Sequence, residues 1–394
     1  MSGNTNDIVI VGAVRTPVGR FRGAFAQVRG DHLGAVVLNA LIERAGVTAD
    51  QIDDVIFGCV TQIGEQSANV ARTALLSAGW PDTIPGMTID RKCGSSESAV
   101  HIAAGGVAVG MGQLIAAGGI ESMSRVPMGS NRAIHGEAFG WLVQERAEMP
   151  SQGEASERIA DRWNLTREDL DNFAIRSHDR AAAAADAGHF EKELVAVDVP
   201  SIAEKGAEIA IERVTADETI RRGSTIEKLA TLKAAFREGG RSTAGNASQI
   251  SDGAAALLIT RRDHAERLGL KPRARIVAFT SVGADPDLVL TGPIPATRKV
   301  LTLAGLTIED IDLYEVNEAF ASVPLAWLAE IGADPDKLNV NGGAIALGHP
   351  LGASGARLMT TLLHELERRS ARYGLQTMCC NGGIATATII ERLD

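Results

Sequence analysis

The sequence predicts an α/β protein built from two duplicated halves, with a further segment inserted into the first. Three observations lead there. Apolar, β-branched runs alternate with helix-period patterns along most of the 394 residues, as expected of strands covered by helices on both faces. A helix–turn–strand module from the first half returns in the second. A stretch between them, about 124–247, differs from both in being more charged. The halves are assigned to residues 6–267 and 272–393, the first carrying the insertion.

Taken in order, Ile8-Val9-Ile10-Val11-Gly12-Ala13 reads as a buried strand. Gly12 and Gly19 do not complete a GxGxxG turn, and Pro17 stands where a helix should begin, so dinucleotide binding is excluded. Asp31–Ala45 is a helix, with Leu33, Val36, Val37, Ala40 and Leu41 at three-to-four spacing and Gly46 closing its end. Ile52–Val60 is the next strand. Met87-Thr88-Ile89 then leads into Asp90-Arg91-Lys92-Cys93-Gly94-Ser95-Ser96, followed by a helical pattern over Ser98–Ala104. Cys93 is thus expected at the first turn of a helix, where unpaired N–H groups and the macrodipole favour thiolate. That form suits a nucleophile or an acyl carrier. Taken alone, such a cysteine reads first as a buried structural residue; stretches far along the chain overturn that.

The module Ala45-Gly46-Val47-Thr48 with Ile52-Asp53 returns as Ala304-Gly305-Leu306-Thr307 with Ile311-Asp312, at an offset of 259 residues (304 less 45). Five identities in one order favour internal duplication. The same offset carries Cys93 to Gly352, inside Gly348-His349-Pro350-Leu351-Gly352. The Cys loop and the His loop are then equivalent parts of the two halves, facing one another across one cleft. Within the insertion, Arg167–Ala187 is a helix ending at Gly188, and Thr219-Ile220-Arg221-Arg222-Gly223-Ser224-Thr225 carries two arginines. This segment reads either as a solvated decoration or as a lobe whose arginines meet a phosphorylated ligand. Lys271-Pro272-Arg273 marks the junction into the second half.

The chain is 45% hydrophobic and 22% charged, with a formal net charge of −10, which argues against nucleic-acid or anionic-membrane partners. Cysteines at 59, 93, 379 and 380 lack the spacing of a zinc site or a disulfide scaffold, so no metal is expected. Met1–Asp7 is polar without a basic n-region, and no run approaches the roughly 18 apolar residues of a membrane span. A soluble, cytoplasmic protein with reduced thiols is expected.

Further motifs carry chemistry: Gly118-Gly119-Ile120-Glu121-Ser122-Met123-Ser124, Thr243-Ala244-Gly245-Asn246-Ala247-Ser248, and Gly292-Pro293-Ile294-Pro295-Ala296-Thr297. In the second half stand Glu315-Val316-Asn317-Glu318-Ala319-Phe320-Ala321, the run Asn339–Gly352, and Thr377-Met378-Cys379-Cys380-Asn381-Gly382-Gly383. Together with the Cys93 loop, these make the sequence closely resemble the thiolases, the acetyl-CoA C-acyltransferases, over essentially its whole length.

The resemblance implies a five-layered α-β-α-β-α core with the insertion as a coenzyme A lobe. It implies reversible thiolytic cleavage of 3-oxoacyl-CoA, or the reverse Claisen condensation, as in fatty-acid β-oxidation. Cys93 would carry the acyl group and His349 would serve as its base. Cys379 would move the α-proton. Asn317, through a water, and His349 would form one oxyanion hole. Backbone N–H groups at Cys93 and in the loop after Cys379 would form the other. Arg221 and Ser248 match the family's coenzyme A contacts. Coenzyme A thioesters enter as substrates with no resident cofactor, and homodimers or homotetramers are implied.

The chain departs from the family at Asn381, which stands where a glycine is common. A positive φ is expected there, since Asn tolerates it better than other non-glycine residues. Other readings exist for single residues: Asn317-Glu318 as the start of a helix over Ala319–Leu328, and Cys379 as core. Cys59 and Cys380 are read as structural. A ketoacyl-synthase-type condensing enzyme would not need Cys379, and a non-catalytic acyl or sterol carrier would need none of these groups. The joint presence of Cys93, Asn317, His349 and Cys379 argues against both.

Overall fold

Each half begins with the same local steps. The helix Gly30–Ala45 stops at Gly46 and the helix Pro293–Ala304 stops at Gly305, both glycines left-handed (φ 76° and 66°), a conformation open to glycine without a Cβ penalty. Thr48 and Thr307 then open one-turn 3-10 helices, Ala49–Gln51 and Ile308–Asp310, by reciprocal side-chain bonding with Gln51 and Asp310. Strands Asp54–Gly58 and Leu313–Val316 follow. The offset persists as far as the helices Ser95–Val109 and Ser354–Arg369. The repeat in the sequence is a repeat of structure.

The computed structural model describes residues 5–132, 134–200 and 211–394; residues 1–4 of the polar start and positions 133 and 201–210 of the insertion lie outside them. Among the described residues, one mixed sheet has ten strands, of which the two-residue Gly19–Arg20 lies off the main path and pairs with Ser251–Arg261. Its second-half part runs Leu313–Val316, Tyr373–Cys380, Ile384–Arg392, Ala274–Gly283. Its first-half part continues Ile8–Arg15, Ser251–Arg261, Leu114–Ser122, Asp54–Gly58, Gly86–Ile89. The two parts join through a short antiparallel contact, Val9 with Arg275 and Ile10 with Ala274. The strand expected over Ile52–Val60 is thus shorter, because Ile52 closes the 3-10 turn and Val60 already belongs to the following loop.

Side-chain alternation along these strands feeds three layers of helix. Gly30–Ala45 and Val70–Ser77 cover the outer face of the first-half strands through Leu33, Val37, Leu41 and Leu75. Pro293–Ala304 and Ser322–Ile331 cover the outer face of the second-half strands through Ile294, Val300 and Trp327. Ser95–Val109 and Ser354–Arg369 lie between, sharing one core with Ile10, Ile115 and Leu257 of the first half and Leu313 and Ile390 of the second. The order is helix, sheet, helix, sheet, helix. The two central helices follow directly on Cys93 and on the His349 loop.

The insertion contributes the helices Gln152–Arg162 and Arg167–Asp186 and a strand pair, Val197–Pro200 with Ile211–Val214. It is tied to the core at Arg15, whose guanidinium donates to Glu193 (2.5 Å) and to both oxygens of Asp217 (2.7 and 3.0 Å). All three side chains are buried, so losing one partner would leave an uncompensated charge in the interior.

At the heart of the molecule three glycines let backbones touch. Gly58 and Gly119 pair on neighbouring parallel strands, and the His loop lies directly on them. A Cβ at Gly119 would stand 2.1 Å from the Gly352 carbonyl oxygen, and one at Gly352 would stand 2.5 Å from that of Ile120. Gly119→Ala must therefore push the His loop off the sheet. It is expected to lower stability by about 1–3 kcal/mol, the usual cost of overpacking, and to reduce turnover even where the protein remains folded. Thermal unfolding and a rate measured well below the melting temperature check both parts.

Candidate active site

Cys93 sits in a tight turn after the strand Gly86–Ile89. Lys92 is left-handed (φ 51°), Gly94 is the N-cap, and the helix starts at Ser95. The cysteine thus lies two residues before the helix, not in its first turn as the pattern suggested. The turn is closed by Ser95, whose hydroxyl accepts from the Arg91 N–H (2.9 Å) and donates to the Lys92 carbonyl (2.6 Å). Gly94 is required by packing, since a Cβ there would meet Cys380 Sγ at 2.8 Å. Cys93 is 2% exposed. Burial, followed by the nearby Cys379 thiol, pushes its titration well above the usual thiol range, while the Asn381 N–H and its own N–H oppose this. Burial outweighs the helix end, and the resting form is the thiol, not the expected thiolate.

His349 follows Gly348, which takes φ 82°, and its N–H donates to the Gln249 carbonyl (3.0 Å). Its Nδ1 lies 2.6 Å from Ser354 Oγ. That hydroxyl donates its one proton to the Pro350 carbonyl (2.9 Å), so it must accept from Nδ1–H. Nε2 is left as the unprotonated nitrogen. Burial first, and then the Arg357 charge, pull the imidazole down to about 3, so it is neutral at physiological pH.

Asn317 leaves the strand Leu313–Val316 with its N–H donating to the Thr377 carbonyl (3.1 Å). It does not begin a helix; the next one starts at Ser322. Its Nδ2 lies 3.5 Å from His349 Nε2 and 3.7 Å from Cys379 Sγ. Its Oδ1 is buried and has no protein partner among the described residues. Cys379 and Cys380 close the strand Tyr373–Cys380 and, by its alternation, face opposite sides. Cys379 packs with Ala319 and Phe320, and Cys380 with Cys93 and Met378. Burial raises Cys379 to about 11, with the Asn317 amide pulling the other way. Cys380 lies buried in the core beside Cys93. Asn317, His349 and Cys379 therefore meet in one place, and the Cys93 thiol lies close enough to Cys379 for that thiol to raise its titration.

Asn381 differs from expectation. Its φ is not positive; the left-handed positions are the next two, Gly382 (φ 91°) and Gly383 (φ 69°). Those glycines supply the turn, so an ordinary backbone at Asn381 still brings its N–H to Cys93 Sγ. Of the two arginines in the segment Thr219–Thr225, Arg222 is held by both oxygens of Asp186 (2.7 Å each). Arg221 is exposed, its N–H donating to His178 Nδ1 (3.1 Å) and its Nη2 to Gln249 Oε1 (3.3 Å). Ser248 is adjacent in sequence and donates its N–H to the Ala319 carbonyl (3.0 Å). Both stand near the His349 loop, since the Gln249 carbonyl accepts from the His349 N–H.

The family models for "Thiolase, N-terminal domain" and "Thiolase, C-terminal domain" match residues 8–263 and 270–392. The chain belongs to the thiolase family. A steroid 3-ketoacyl-CoA thiolase of Mycobacterium tuberculosis is 48% identical, over 98% of this chain and 94% of that one. A beta-ketoadipyl-CoA thiolase of Pseudomonas putida is 45% identical, over 98% and 100%. The crystal structure of the Bacillus anthracis acetyl-CoA acetyltransferase superposes with a TM-score of 0.90 at 40% identity, covering 98% of this chain and 99% of that one. This thiolase is accordingly an acyltransferase. No helix of its described residues is long and apolar enough to cross a membrane.

Motif reading missed three residues. Ser354 orients His349 and Glu121 braces the loops, although both lie within or beside quoted motifs. Glu97, on the helix behind Cys93, is the third. It accepts from the hydroxyls of Thr386 and Thr388 (2.5 Å each). Burial lifts its carboxyl from 4.5 up to about 7. The neighbouring His101, itself pulled down to about 3 by burial, is neutral and offers no charge partner. A folded-state value above the unfolded one means that the native protein holds a proton which the unfolded chain releases. Stability is therefore lost as pH rises through that window. Glu97→Gln should melt progressively higher than the parent as pH goes from 5 to 8, and the two melting curves should converge at pH 4.

A second expectation separates backbone from side chain at the Cys93 loop. Asn381→Ala keeps the N–H in place and should leave acylation within about tenfold. Gly382→Ala meets nothing closer than 3.9 Å, so its cost is conformational, about 1–2 kcal/mol for a forced left-handed residue. Relaxing that strain swings the Asn381 N–H away, and a lost oxyanion donor typically costs ~10²–10³ in rate. Stopped-time acylation by acetyl-CoA, read by intact mass, compares the two variants.

Proposed function

We propose that this thiolase cleaves 3-oxoacyl-CoA thioesters to acetyl-CoA and a shortened acyl-CoA, with the acyl group carried on Cys93. One observation supports the reading above all: a single buried amide, Asn317, spans His349 Nε2 and the Cys379 thiol at 3.5 and 3.7 Å, with the Cys93 thiol within electrostatic reach of Cys379.

The chemistry uses each group in the form found. His349 Nε2, free of a proton, takes the proton of Cys93 as Sγ attacks the 3-oxo carbon. The C2–C3 bond breaks, and its electron pair forms the enolate of acetyl-CoA, which takes the Cys379 proton. Coenzyme A thiol then attacks the Cys93 thioester, its proton passing to Cys379, and the shortened acyl-CoA leaves with Cys93 recovering its proton from His349. Asn317 Oδ1, unpartnered in the protein, can accept from a water whose other hydrogen meets an oxyanion. The N–H groups of Cys93 and Asn381 serve the second oxyanion. Arg221, exposed beside Gln249, and Ser248 are read as coenzyme A contacts at the mouth. In keeping with the family, the enzyme is read as a cytoplasmic homodimer or homotetramer with no resident cofactor.

The decisive measurement is covalent. Acetyl-CoA should add one acetyl group to the parent protein, and none to Cys93→Ala; an adduct that survives in that variant overturns the assignment. Cys379→Ala should still acylate, while thiolysis falls by the ~10²–10⁴ expected of a lost acid–base group. Cys380→Ala is expected to be mild. Thiolysis rates across linear and ring-bearing 3-oxoacyl-CoA thioesters then assign the acyl group.

A further inference from the structure

The surroundings of Cys93 are packed shut on most sides. A Cβ at Gly94 would stand 2.8 Å from its nearest neighbour, and one at Gly352 would stand 2.5 Å away. The turn after Cys380 differs. Asn381 directs its N–H to Cys93 Sγ, and Gly382 follows it in a left-handed conformation (φ 91°). A Cβ at Gly382 would meet, among the described residues, only Met149 Cε at 3.9 Å and Ile384 Cγ1 at 4.0 Å. One face of the turn that carries the oxyanion donor is therefore open, and the two atoms bounding it are apolar. Ile384 belongs to the strand that follows the turn, whereas Met149 reaches in from the insertion.

Met149 is held in place for this. Its backbone is left-handed (φ 48°), uncommon for a residue with a Cβ, and such a conformation persists where the surroundings impose it. On one side the Glu148 N–H donates to Asp287 Oδ1 (2.7 Å). Arg158, from the helix Gln152–Arg162, donates to the Glu148 carboxylate, to Glu154 (3.3 Å) and to the Asp287 carbonyl (3.4 Å). On the other side Ser151 caps that helix by accepting from the Glu154 N–H (3.2 Å). Asp287 lies in the loop that seats the Asn381–Gly383 turn, since the Ala284 N–H donates to the Gly383 carbonyl (2.6 Å). The same loop carries Val289 and Leu290 into the cluster around Cys379. Residues Trp141–Gln144, just before, are exposed, while Met149 is half-buried.

We propose that Met149 is a specificity-determining residue: its thioether forms a wall of the space into which the acyl group on Cys93 extends, and so sets how bulky that group is. The inference rests on Cys93 carrying the acyl group. The Asn381 N–H fixes the thioester oxygen, and the substituent on the same carbonyl carbon needs an apolar space beside that donor. The open face at Gly382 supplies one. Methionine is unbranched and has three rotatable bonds, so it yields to groups of different shape. The acyl groups that suit such a wall include ring-bearing and branched ones, besides short linear ones.

The experiment compares initial rates of Cys93 acylation by cyclohexanecarbonyl-CoA and by acetyl-CoA, read by intact mass on the full-length enzyme. The quantity read is their ratio. Met149→Ala should raise it and Met149→Trp should lower it, each by about tenfold, the scale of a small change in an apolar pocket. Met149→Leu, of similar volume, should return the parent ratio. A side chain that merely holds the loop would slow both acyl donors alike and leave the ratio in place. An unchanged ratio in Met149→Ala or in Met149→Trp, or a shift in the same direction in both, overturns the proposal. Cys93→Ala distinguishes the two levels of failure. An acetyl adduct that survives there removes the underlying reading and this inference with it. Loss of the adduct there, with an unchanged ratio in the Met149 variants, overturns the assignment of Met149 alone.

Discussion

The carboxylate of Glu121, fully buried at the end of the strand Leu114–Ser122, accepts hydrogen bonds from the N–H groups of Val60 (2.9 Å), Thr61 (3.0 Å) and Gly352 (2.9 Å) and from Gln66 Nε2 (3.0 Å). Two of these donors belong to the loop after Asp54–Gly58, and one belongs to the His loop of the other half. One charge thus ties the first-half strands to the loop that carries His349. Burial raises this carboxyl above its ordinary range, and the four donors pull against it. The bond to Gly352 is possible only because Gly58, Gly119 and Gly352 let three backbones approach. The glycines bring the loops close and the carboxylate holds them there. The separation of Cys93 from His349 is set by that arrangement, since each follows its half's central loop into a central helix.

A matching device serves the other side of the cleft. Glu318 is buried among Ser177 of the insertion, Asn339 and the Ile345 N–H, so it ties the Asn317 loop to the insertion and to the run leading to His349. The sequence places a carboxylate one residue after Asn317 and another two residues after Gly119. Motif reading recognised the strings without their purpose. The reason is physical: a buried acid is valued for the N–H groups that converge on it, and for Glu121 these come from segments 55 to 231 residues away.

Much of the architecture was legible locally. Helix ends at Gly46, Gly188 and Gly305, the apolar spacing of Gly30–Ala45 and the doubled Ala-Gly-x-Thr turn depend on neighbours within a few residues, and periodicity captures such neighbours. The pairing of Cys and His loops followed from the repeat, because two copies of one module pack alike. What escaped was decided at a distance. The backbone at Asn381 is ordinary because Gly382 and Gly383 take the left-handed positions, a division of labour that a single-residue preference does not reveal. Asn317 is kept out of a helix because its N–H is claimed by Thr377 on the adjacent strand. Cys93 was assigned a thiolate from its nearness to a helix, while the burial that overrules it depends on Met123, Leu351, Leu358 and Met378, from both halves.

That last difference bears on how the site works. An ion pair of thiolate and imidazolium would be costly in so enclosed a place, since each charge would lose its hydration with few partners in return. The geometry favours the neutral pair instead: Ser354 fixes the Nδ1–H tautomer and Asn317 offers its amide to Nε2. Charge then appears only during attack, when the substrate oxygen becomes negative beside donors already in place. Preset donors are worth most in such a medium because they need no reorganisation at the moment of reaction. The reactive sulfur is thereby kept quiet until a thioester enters. A buried, neutral nucleophile resists adventitious alkylation and oxidation, which require thiolate and access. The burial that raises the Cys93 thiol is thus a restraint on side reactions, offset during turnover by the oxyanion that forms in the same space.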